Sequence, residues 1–286
     1  MPDRTRPLDA DHGRAPQWSA ADMEPTQCCL CGVPGRLVYR RPPFEVVRCP
    51  VCELVFVSPR LTPAALQRLY DEPAYFDGGV YGDRARWSPA MALQRTWARG
   101  RLARLTRLRP PPATMLEIGS GYGLFLAAAG DAGYGVRGVE LSRTGVRVAR
   151  EELGLDVFCG QLAAAPVEPT DLICFWDTLE HVPDPLEFLR QVRARLAPDG
   201  VIALSVPYIS SVPARLLGAG WWTLKPEQHI WHFTPRTLTL VAARAGLVIT
   251  SVVRSPIRAL NAGRLDSLVA FGRALPDRPD GGAPDV

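Results

Sequence analysis

The chain has 286 residues, of which 47% are hydrophobic and 22% are charged, and its formal net charge is +4. Such a chain is long enough to bury a sizeable core, and its composition is ordinary for a globular protein. The mild charge does not by itself call for nucleic acid or an anionic membrane. No apolar run is long enough to span a bilayer, and polar residues instead of a signal-peptide core follow Met1, so a cytoplasmic protein is expected.

Residues 1–26 mix Pro, Asp, Arg and Gly with few apolar positions, and this predicts a disordered tail. Four cysteines then form two CxxC pairs separated by seventeen residues: Cys28, Cys31, Cys49 and Cys52. The spacing predicts a zinc ribbon over 27–60 in which four thiolates hold a structural Zn²⁺. Cys29 is an additional thiol that can replace Cys28 as a ligand, and free or redox-active thiols are the alternative.

Residues 61–110 are predicted to form a helical linker or cap, with a helix beginning near Pro63 and a longer one over 91–108. The longer helix carries several arginines: Arg95, Arg99, Arg101, Arg104 and Arg107. A solvated helix face is favoured over a nucleic-acid surface, because no aromatic platform is interleaved with them. Tyr75 and Tyr81 are candidates to border the acceptor pocket, and packing in the hinge is the alternative.

Residues 111–255 alternate between apolar strands and helices. Strands are predicted over 114–118, 135–140, 155–159, 171–176 and 201–206, and helices over 121–132, 143–153 and 185–197. Repeated βα units with continuous apolar strands predict an α/β fold, a Rossmann-like domain with a mostly parallel sheet. Ligands bind beyond the carboxyl ends of the strands in such sheets.

Three glycines at alternate positions, Gly119, Gly121 and Gly123, link the first of these strands to its helix. A turn without side chains lets backbone N–H groups close on a ligand, and the helix presents its positive end to the same place. The dinucleotide fingerprint requires its third glycine at position 124, where this chain has Leu124. The spacing therefore argues against a nicotinamide or flavin cofactor.

Acidic residues end two strands next to this turn. Glu117 is placed to bind an amino group, and Glu140 is placed to accept both hydroxyls of a ribose. The acid, the glycines and the second acid resemble the S-adenosylmethionine site of class I methyltransferases. The resemblance implies that Gln161 lies against the adenine edge and that Asp177 stands at the rim of the cofactor site.

The fourth strand delivers Asp177, Glu180 and His181 to the same rim. The run from Glu180 to Pro185, Glu-His-Val-Pro-Asp-Pro, resembles the corresponding stretch of small-molecule methyltransferases that include ubiquinone-biosynthesis O-methyltransferases. That resemblance implies that the acid and the Glu-His pair contribute to catalysis, or hold Mg²⁺ or another divalent metal, although Asp177 stands where Glu is usual. The alternative is that His181 only packs and caps the strand end.

An insertion over 207–234 follows the fifth strand and is predicted to be a substrate lid, in which Trp222 contacts the acceptor. His229 and His232 are further candidates for a general base. The alternative is an apolar patch that packs on the zinc ribbon or on a second subunit. A shallow membrane contact is disfavoured because Arg215 is the only arginine and Lys225 the only lysine of this stretch.

A helix is predicted from Pro235 and a strand over 247–253. Residues 256–286 are predicted to form a C-terminal helix over 258–275 and then a disordered tail. The sequence offers no convincing final antiparallel strand.

The cysteine module, the glycine turn, Glu-His-Val-Pro-Asp-Pro and His-Phe-Thr-Pro occur in an order that resembles bacterial class I methyltransferases with an N-terminal zinc-binding domain. The resemblance implies S-adenosylmethionine-dependent methyl transfer to a small-molecule, sugar or natural-product acceptor. A hydroxyl or carbon acceptor requires a general base, and histidine has a suitable pKa. No nucleic-acid partner is expected, and the oligomeric state stays open. The alternatives are a zinc-ribbon interaction protein on a non-catalytic domain, or a methyltransferase of a macromolecule.

Overall fold

The computed structural model describes residues 18–71, 89–254 and 266–276. The strands in these ranges are, in chain order, β1 (Met23–Glu24), β2 (Arg36–Arg41), β3 (Phe44–Arg48), β4 (Val55–Val57), β5 (Arg60–Leu61), β6 (Thr114–Ile118), β7 (Gly135–Glu140), β8 (Val157–Cys159), β9 (Thr170–Trp176), β10 (Leu196–Pro207), β11 (Trp231–His232), β12 (Leu247–Arg254) and β13 (Ser267–Ala274). The α-helices are α1 (Pro63–Asp71), α2 (Pro89–Leu108), α3 (Leu124–Asp131), α4 (Arg143–Leu153), α5 (Pro185–Ala194), α6 (Val212–Leu217) and α7 (Pro235–Arg244).

The main sheet has seven strands in the order β12-β13-β10-β9-β6-β7-β8. Strands β6 to β10 run parallel, and β13 lies antiparallel to both β10 and β12. Strand β9 is buried along almost its whole length because helices cover both faces of the sheet. The predicted Rossmann-like fold with a mostly parallel sheet is confirmed.

Helix boundaries in this domain follow local sequence signals. Ser142 caps α4 by accepting a hydrogen bond from the Gly145 N–H, and Asp184 caps α5 by accepting from the N–H groups of Leu186 and Glu187. Gly154 ends α4 in the left-handed conformation. These signals explain why the predicted helices begin and end close to the observed ones.

A smaller antiparallel sheet with the order β11-β4-β3-β2 forms the N-terminal module. Its strand β11 comes from the insertion after β10, and Trp231 pairs there with Phe56 of β4. The buried side chains of this module and of the main sheet form one continuous cluster. The N-terminal module is therefore packed against the main domain, and β11 joins the two.

Two sequence predictions are wrong in the structure. Residues 18–26 lie in the predicted disordered tail, but β1 pairs with β5 there. Residues 267–274 lie in the predicted C-terminal helix over 258–275, but they form β13, whose buried side chains pack between β10 and β12. This β13 is the antiparallel strand that the sequence did not reveal, because an apolar run this short suits a helix or a strand equally. Among the described residues, no helix is long and apolar enough to cross a membrane.

Candidate functional site

The glycine turn between β6 and α3 has the open backbone that its sequence predicts. All three glycines have a positive φ, 73° at Gly119, 54° at Gly121 and 79° at Gly123. A Cβ at Gly119 would lie 2.5 Å from the hydroxyl oxygen of Thr178, so no other residue fits there without displacement. The start of α3 lies directly behind the turn, which makes this a favourable place for a partly anionic ligand.

Glu140 ties this turn to the next βα turn. Its Oε2 accepts a hydrogen bond of 2.8 Å from the Gly121 N–H, and its Oε1 accepts one of 2.7 Å from the Ser142 N–H. Burial raises the pKa of Glu140, and these N–H groups oppose the rise. Each carboxylate oxygen keeps a second lone pair, so Glu140 can also accept two hydroxyls from a ligand.

The approach of α4 to the glycine turn depends on Gly145. A Cβ at this position would lie 2.8 Å from the carbonyl oxygen of Gly121. No role was predicted for Gly145 from the sequence. A glycine at the start of a helix, shortly after Glu140, was the sign that this helix packs closely on the turn.

Glu117 and Arg101 bring an acidic and a basic side chain to the other side of the turn. Both residues line a small cavity of about 60 Å³ together with Gly119 and Asp177. Burial raises the pKa of Glu117 to about 8, Glu140 adds to the rise, and the Arg101 guanidinium opposes it. Oε2 of Glu117 is buried and accepts no hydrogen bond from the described residues. The pair complements the ammonium and carboxylate of an amino acid.

Arg101 corrects the prediction of a solvated arginine face on the long helix. Its side chain is only 10% exposed, and its guanidinium lies 4.4 Å from the centroid of the Trp176 ring and 3.6 Å from Asp177 Oδ2. The sequence did not identify Arg101 as a site residue, because the arginines of α2 are not spaced at a helical period that would place one of them on the buried face.

A cleft of about 470 Å³ adjoins this small cavity and shares Gly119, Trp176 and Asp177 with it. Predicted site residues that line the cleft are Gly119, Gly121, Glu140, Gln161, Asp177 and His181. Helix α1 contributes a further wall through Leu66, Gln67 and Tyr70, which the sequence did not identify. Five predicted cofactor residues and one candidate base therefore share a single cleft at the carboxyl edge of the sheet.

Asp177 has a backbone conformation that is unusual for a residue with a side chain, with φ at 49°. Its Oδ1 accepts a hydrogen bond of 3.0 Å from the Ser205 hydroxyl, and its N–H donates to the carbonyl oxygen of Ser205. Left-handed backbone at a non-glycine residue costs free energy and often marks a functional site. These contacts hold the Asp177 carboxylate between the two cavities, on the side of Arg101.

Two histidines and one glutamate from different segments meet beside the cleft. One possible ligand atom from each of Glu180, His181 and His229 lies within 4.8 Å of the others. The His181 and His229 rings are 4.6 Å apart edge to face, and Tyr70 Oη lies 3.4 Å from Nδ1 of His181. Glu180 is fully buried. This group can serve as a proton relay or hold a divalent metal ion.

The three candidate bases differ in burial, because His229 and His232 are buried whereas His181 is partly exposed. Burial lowers the pKa of His232 to about 4, and burial together with His181 and His232 lowers the pKa of His229 well below its usual value. His229 Nδ1 lies 2.8 Å from the carbonyl oxygen of Thr223, and a proton on Nδ1 completes this hydrogen bond. His181 is the only one of the three that lines the cleft.

The predicted zinc ligands form a second cluster, and none of them lines the cleft. The Sγ atoms of Cys28, Cys31, Cys49 and Cys52 all lie within 4.8 Å of one another. Tetrahedral zinc with Zn–S bonds of about 2.3 Å requires sulfur atoms about 3.8 Å apart. Gly32 and Glu53 follow the two CxxC pairs, and both have a positive φ, 65° and 69°. The two knuckles therefore have matching turns, and the cluster can hold one metal ion.

The predicted substrate contacts are not assembled at the cleft by the described residues. Trp222 is 54% exposed, whereas Trp221 and Trp231 are buried. Trp221 Nε1 donates to Asp266 Oδ2 at 2.8 Å, and Trp231 packs on Phe56 of the ribbon at a centroid distance of 5.8 Å. This part of the insertion follows the alternative of packing on the ribbon. Tyr75 and Tyr81 lie outside the described residues.

The fold and the carboxylate-lined glycine turn define the class of Rossmann-like methyltransferases. Residues 91–252 match the family model described as "Methyltransferase domain", and the chain belongs to this family. It is 35% identical over 103 residues to a ubiquinone biosynthesis O-methyltransferase of Actinobacillus pleuropneumoniae, covering 32% of this chain and 44% of that protein. A ubiquinone biosynthesis O-methyltransferase of a Caulobacter species is 32% identical over 130 residues, covering 41% and 51%. The chain thus spans about half the length of these curated relatives.

Solved structures support the fold. The Burkholderia thailandensis 1,6-didemethyltoxoflavin-N1-methyltransferase, crystallised with its substrate and S-adenosylhomocysteine, is 21% identical with a TM-score of 0.56. The match covers 83% of this chain and 98% of that one. At this level of identity the likeness concerns the fold alone.

Proposed function

We propose that this protein transfers a methyl group from S-adenosylmethionine to an oxygen or carbon atom of a small-molecule, sugar or natural-product acceptor. The observation that supports this most directly is the pair of joined cavities around the glycine turn. Glu140 lines the larger one, and the Glu117–Arg101 pair lines the smaller one. This cofactor joins an adenosine, which carries the ribose hydroxyls, to a zwitterionic amino acid, and the chain offers a complementary group to the ribose and to the amino acid.

When it is bound, the cofactor supplies an electrophilic methyl group. The chain's own residues then orient the acceptor, exclude water and remove a proton. His181 is the proposed base because it lines the cleft. Its Nε2 lies 4.0 Å from Oε1 of Glu180, and a buried carboxylate there stabilises the imidazolium that forms. In the tautomer in which the Nδ1–H donates to Tyr70 Oη, Nε2 keeps the lone pair that takes the proton from the acceptor.

A divalent metal ion is the second proposed use of the same group. Glu180, His181 and His229 would be its ligands, and Asp177 would not, because its carboxylate is held by Ser205 and Arg101. A metal ion there would polarise an acceptor hydroxyl as a Lewis acid. We also propose a structural zinc ion at the four cysteines, supported by their mutual distances.

The names of the curated relatives support small-molecule O-methylation as the form of the reaction, since both are ubiquinone biosynthesis O-methyltransferases. A hydroxyl group is the acceptor that these names support. Within the insertion over 207–234, the part around His229 is proposed to border the acceptor, because His229 contacts His181.

The proposed function is tested first by calorimetric titration with S-adenosylmethionine, which is expected to give one site per chain. Glu140→Ala removes the acceptor for two hydroxyls, each worth about 1.5 kcal/mol or more when the acceptor is charged, so the Kd should rise about 100-fold. Glu140→Gln keeps the side-chain size and should weaken binding less. Asp156→Ala is the matched control, because this carboxylate pairs with Arg137 and lines neither cavity. An unchanged Kd in Glu140→Ala would refute the assignment.

A further inference from the structure

The insertion after β10 exposes an unusual set of large apolar side chains. Val212 is 70% exposed, Leu216 79%, Leu217 47% and Trp222 54%. They lie within eleven consecutive residues that form α6 and a 3₁₀ turn over 218–220, a segment about 15–20 Å long. Single exposed apolar residues are normal, but a cluster of four indicates an interaction surface. Residues 212–222 are here named the apolar tip.

The apolar tip stands on a well-anchored base. Trp221 Nε1 and the Thr223 hydroxyl both donate to Asp266 Oδ2 at 2.8 Å. Arg41 on β2 donates to the carbonyl oxygen of Ala219 at 2.6 Å. Trp221 is therefore buried and hydrogen-bonded, while the adjacent Trp222 is exposed to solvent. Trp222 is exposed on a well-ordered segment and not on a loosely packed loop.

The charge of this region is positive. The stretch 200–226 contains no Asp or Glu, and its exposed charged residues are Arg215 and Lys225. Arg41 adds a third cation next to the 3₁₀ turn. The Asp266 carboxylate at the base of the tip is buried and accepts two hydrogen bonds, so the exposed side chains of this stretch are apolar or cationic. Exposed leucines and a tryptophan next to cations are the composition of segments that insert shallowly into the interface of anionic bilayers. The sequence disfavoured a membrane contact because it showed only one arginine and one lysine in this stretch, and it could not show that Arg41 of β2 lies beside the stretch.

We propose that the apolar tip binds an anionic lipid bilayer. Leu216, Leu217 and Trp222 enter the headgroup region, and the cations contact lipid phosphates. The insertion begins at Pro207, at the carboxyl end of β10, and its His229 contacts His181 beside the cleft. The tip therefore belongs to the segment that leaves the sheet at the edge where the cleft lies. This arrangement suits an acceptor that is dissolved in the membrane.

The test is co-sedimentation of the full chain with vesicles of phosphatidylglycerol and phosphatidylcholine, compared with phosphatidylcholine alone. We expect binding to the anionic vesicles, at least a tenfold lower partition coefficient for Leu216→Asp/Leu217→Asp, and about a fivefold reduction for Arg215→Gln. Leu153→Asp is the matched control, because Leu153 is also an exposed leucine, at the end of α4. Its partition coefficient should equal that of the unmodified chain.

All four changed residues are exposed, so the three variants are expected to fold, and circular dichroism and thermal unfolding check this. If the chain does not bind anionic vesicles, or if Leu216→Asp/Leu217→Asp binds as the control does, the proposal is wrong. It is equally wrong if the chain ignores vesicles and forms a dimer that the same double substitution dissociates, because the tip then binds a second copy. These outcomes do not depend on cofactor binding and so leave the proposed methyl transfer untouched.

Discussion

Replacing Glu117 with glutamine separates the electrostatic role of this carboxylate from its shape. In the free protein burial raises the pKa of Glu117 to about 8, so the group is about 90% protonated at pH 7. A cofactor ammonium beside Oε2 favours the ionised form, and binding must then release a proton. The affinity for S-adenosylmethionine is therefore expected to rise with pH, by up to tenfold per unit, until about pH 8.

Because the pKa of Glu117 is raised, the free energy of unfolding should fall as the pH rises, whereas the affinity for the cofactor should rise. A carboxyl whose pKa is raised by folding contributes stability that is complete below its unfolded pKa and is lost as the pH rises through its folded pKa. Free Glu117→Gln protein should thus be more stable than the unmodified chain at pH 8, by about 2–4 kcal/mol, and equally stable near pH 4. Its cofactor affinity at pH 8 should be lower by about 10–100-fold, the worth of a charged hydrogen bond. At pH 6 the two affinities should converge.

The assay is calorimetric titration between pH 6 and pH 8 in two buffers of different ionisation enthalpy, which counts the protons released. Glu140 also has a raised pKa and contributes to the profile, so the difference between the unmodified chain and Glu117→Gln isolates Glu117. Parallel affinity profiles, or identical proton release, would show that Glu117 does not meet the ammonium.

Three further outcomes follow from the same geometry. Arg101→Met should raise the Kd of S-adenosylmethionine by about 10–100-fold and leave 5′-methylthioadenosine binding unchanged, because only the former carries a carboxylate; equal losses for both ligands would contradict the pairing. In single-turnover assays, His181→Ala should lower the rate of methyl transfer by about 10²–10⁴-fold with the cofactor Kd unchanged. His229→Ala should lower the same rate by about tenfold or less. Equal losses, accompanied by loss of a bound ion in elemental analysis, would instead favour the metal. Cys52→Ser should remove one zinc ion per chain and lower the Tm in calorimetry; a protein that keeps its zinc would contradict the ligand set.

Local signals made much of the fold and of the glycine turn predictable. The strands over 114–118 and 135–140 are found with those bounds because each is a short apolar run next to glycine or an acid. The left-handed glycines and the caps of the helices are equally local features. Glu117 and Glu140 could be placed because parallel strands end at one edge of a sheet.

Features that depend on distant parts of the chain were not predictable. Arg101 precedes Glu117 by sixteen residues, and the two line one cavity only when α2 packs against the sheet and α3. Strand β13 is defined by its register with β10, from Val201 opposite Arg273 to Pro207 opposite Ser267, and its own seven apolar or small residues favour no period. Tyr70 reaches the cleft because the N-terminal module packs against the main domain.

The pairing of β11 with β4 explains how a cysteine cluster outside the cleft can matter for chemistry. The N–H of Val57 donates to the carbonyl oxygen of Ile230, and the N–H of Ile230 donates to the carbonyl oxygen of Glu180. One chain of backbone hydrogen bonds thus connects the ribbon, the insertion and the residue next to His181. A two-residue strand such as β11 is not stable alone, so its position depends on the folded ribbon. His229 precedes β11 by two residues, and its N–H also donates to the carbonyl oxygen of Lys225. A ribbon that unfolds without its metal would therefore remove one of the contacts that hold this segment next to His181.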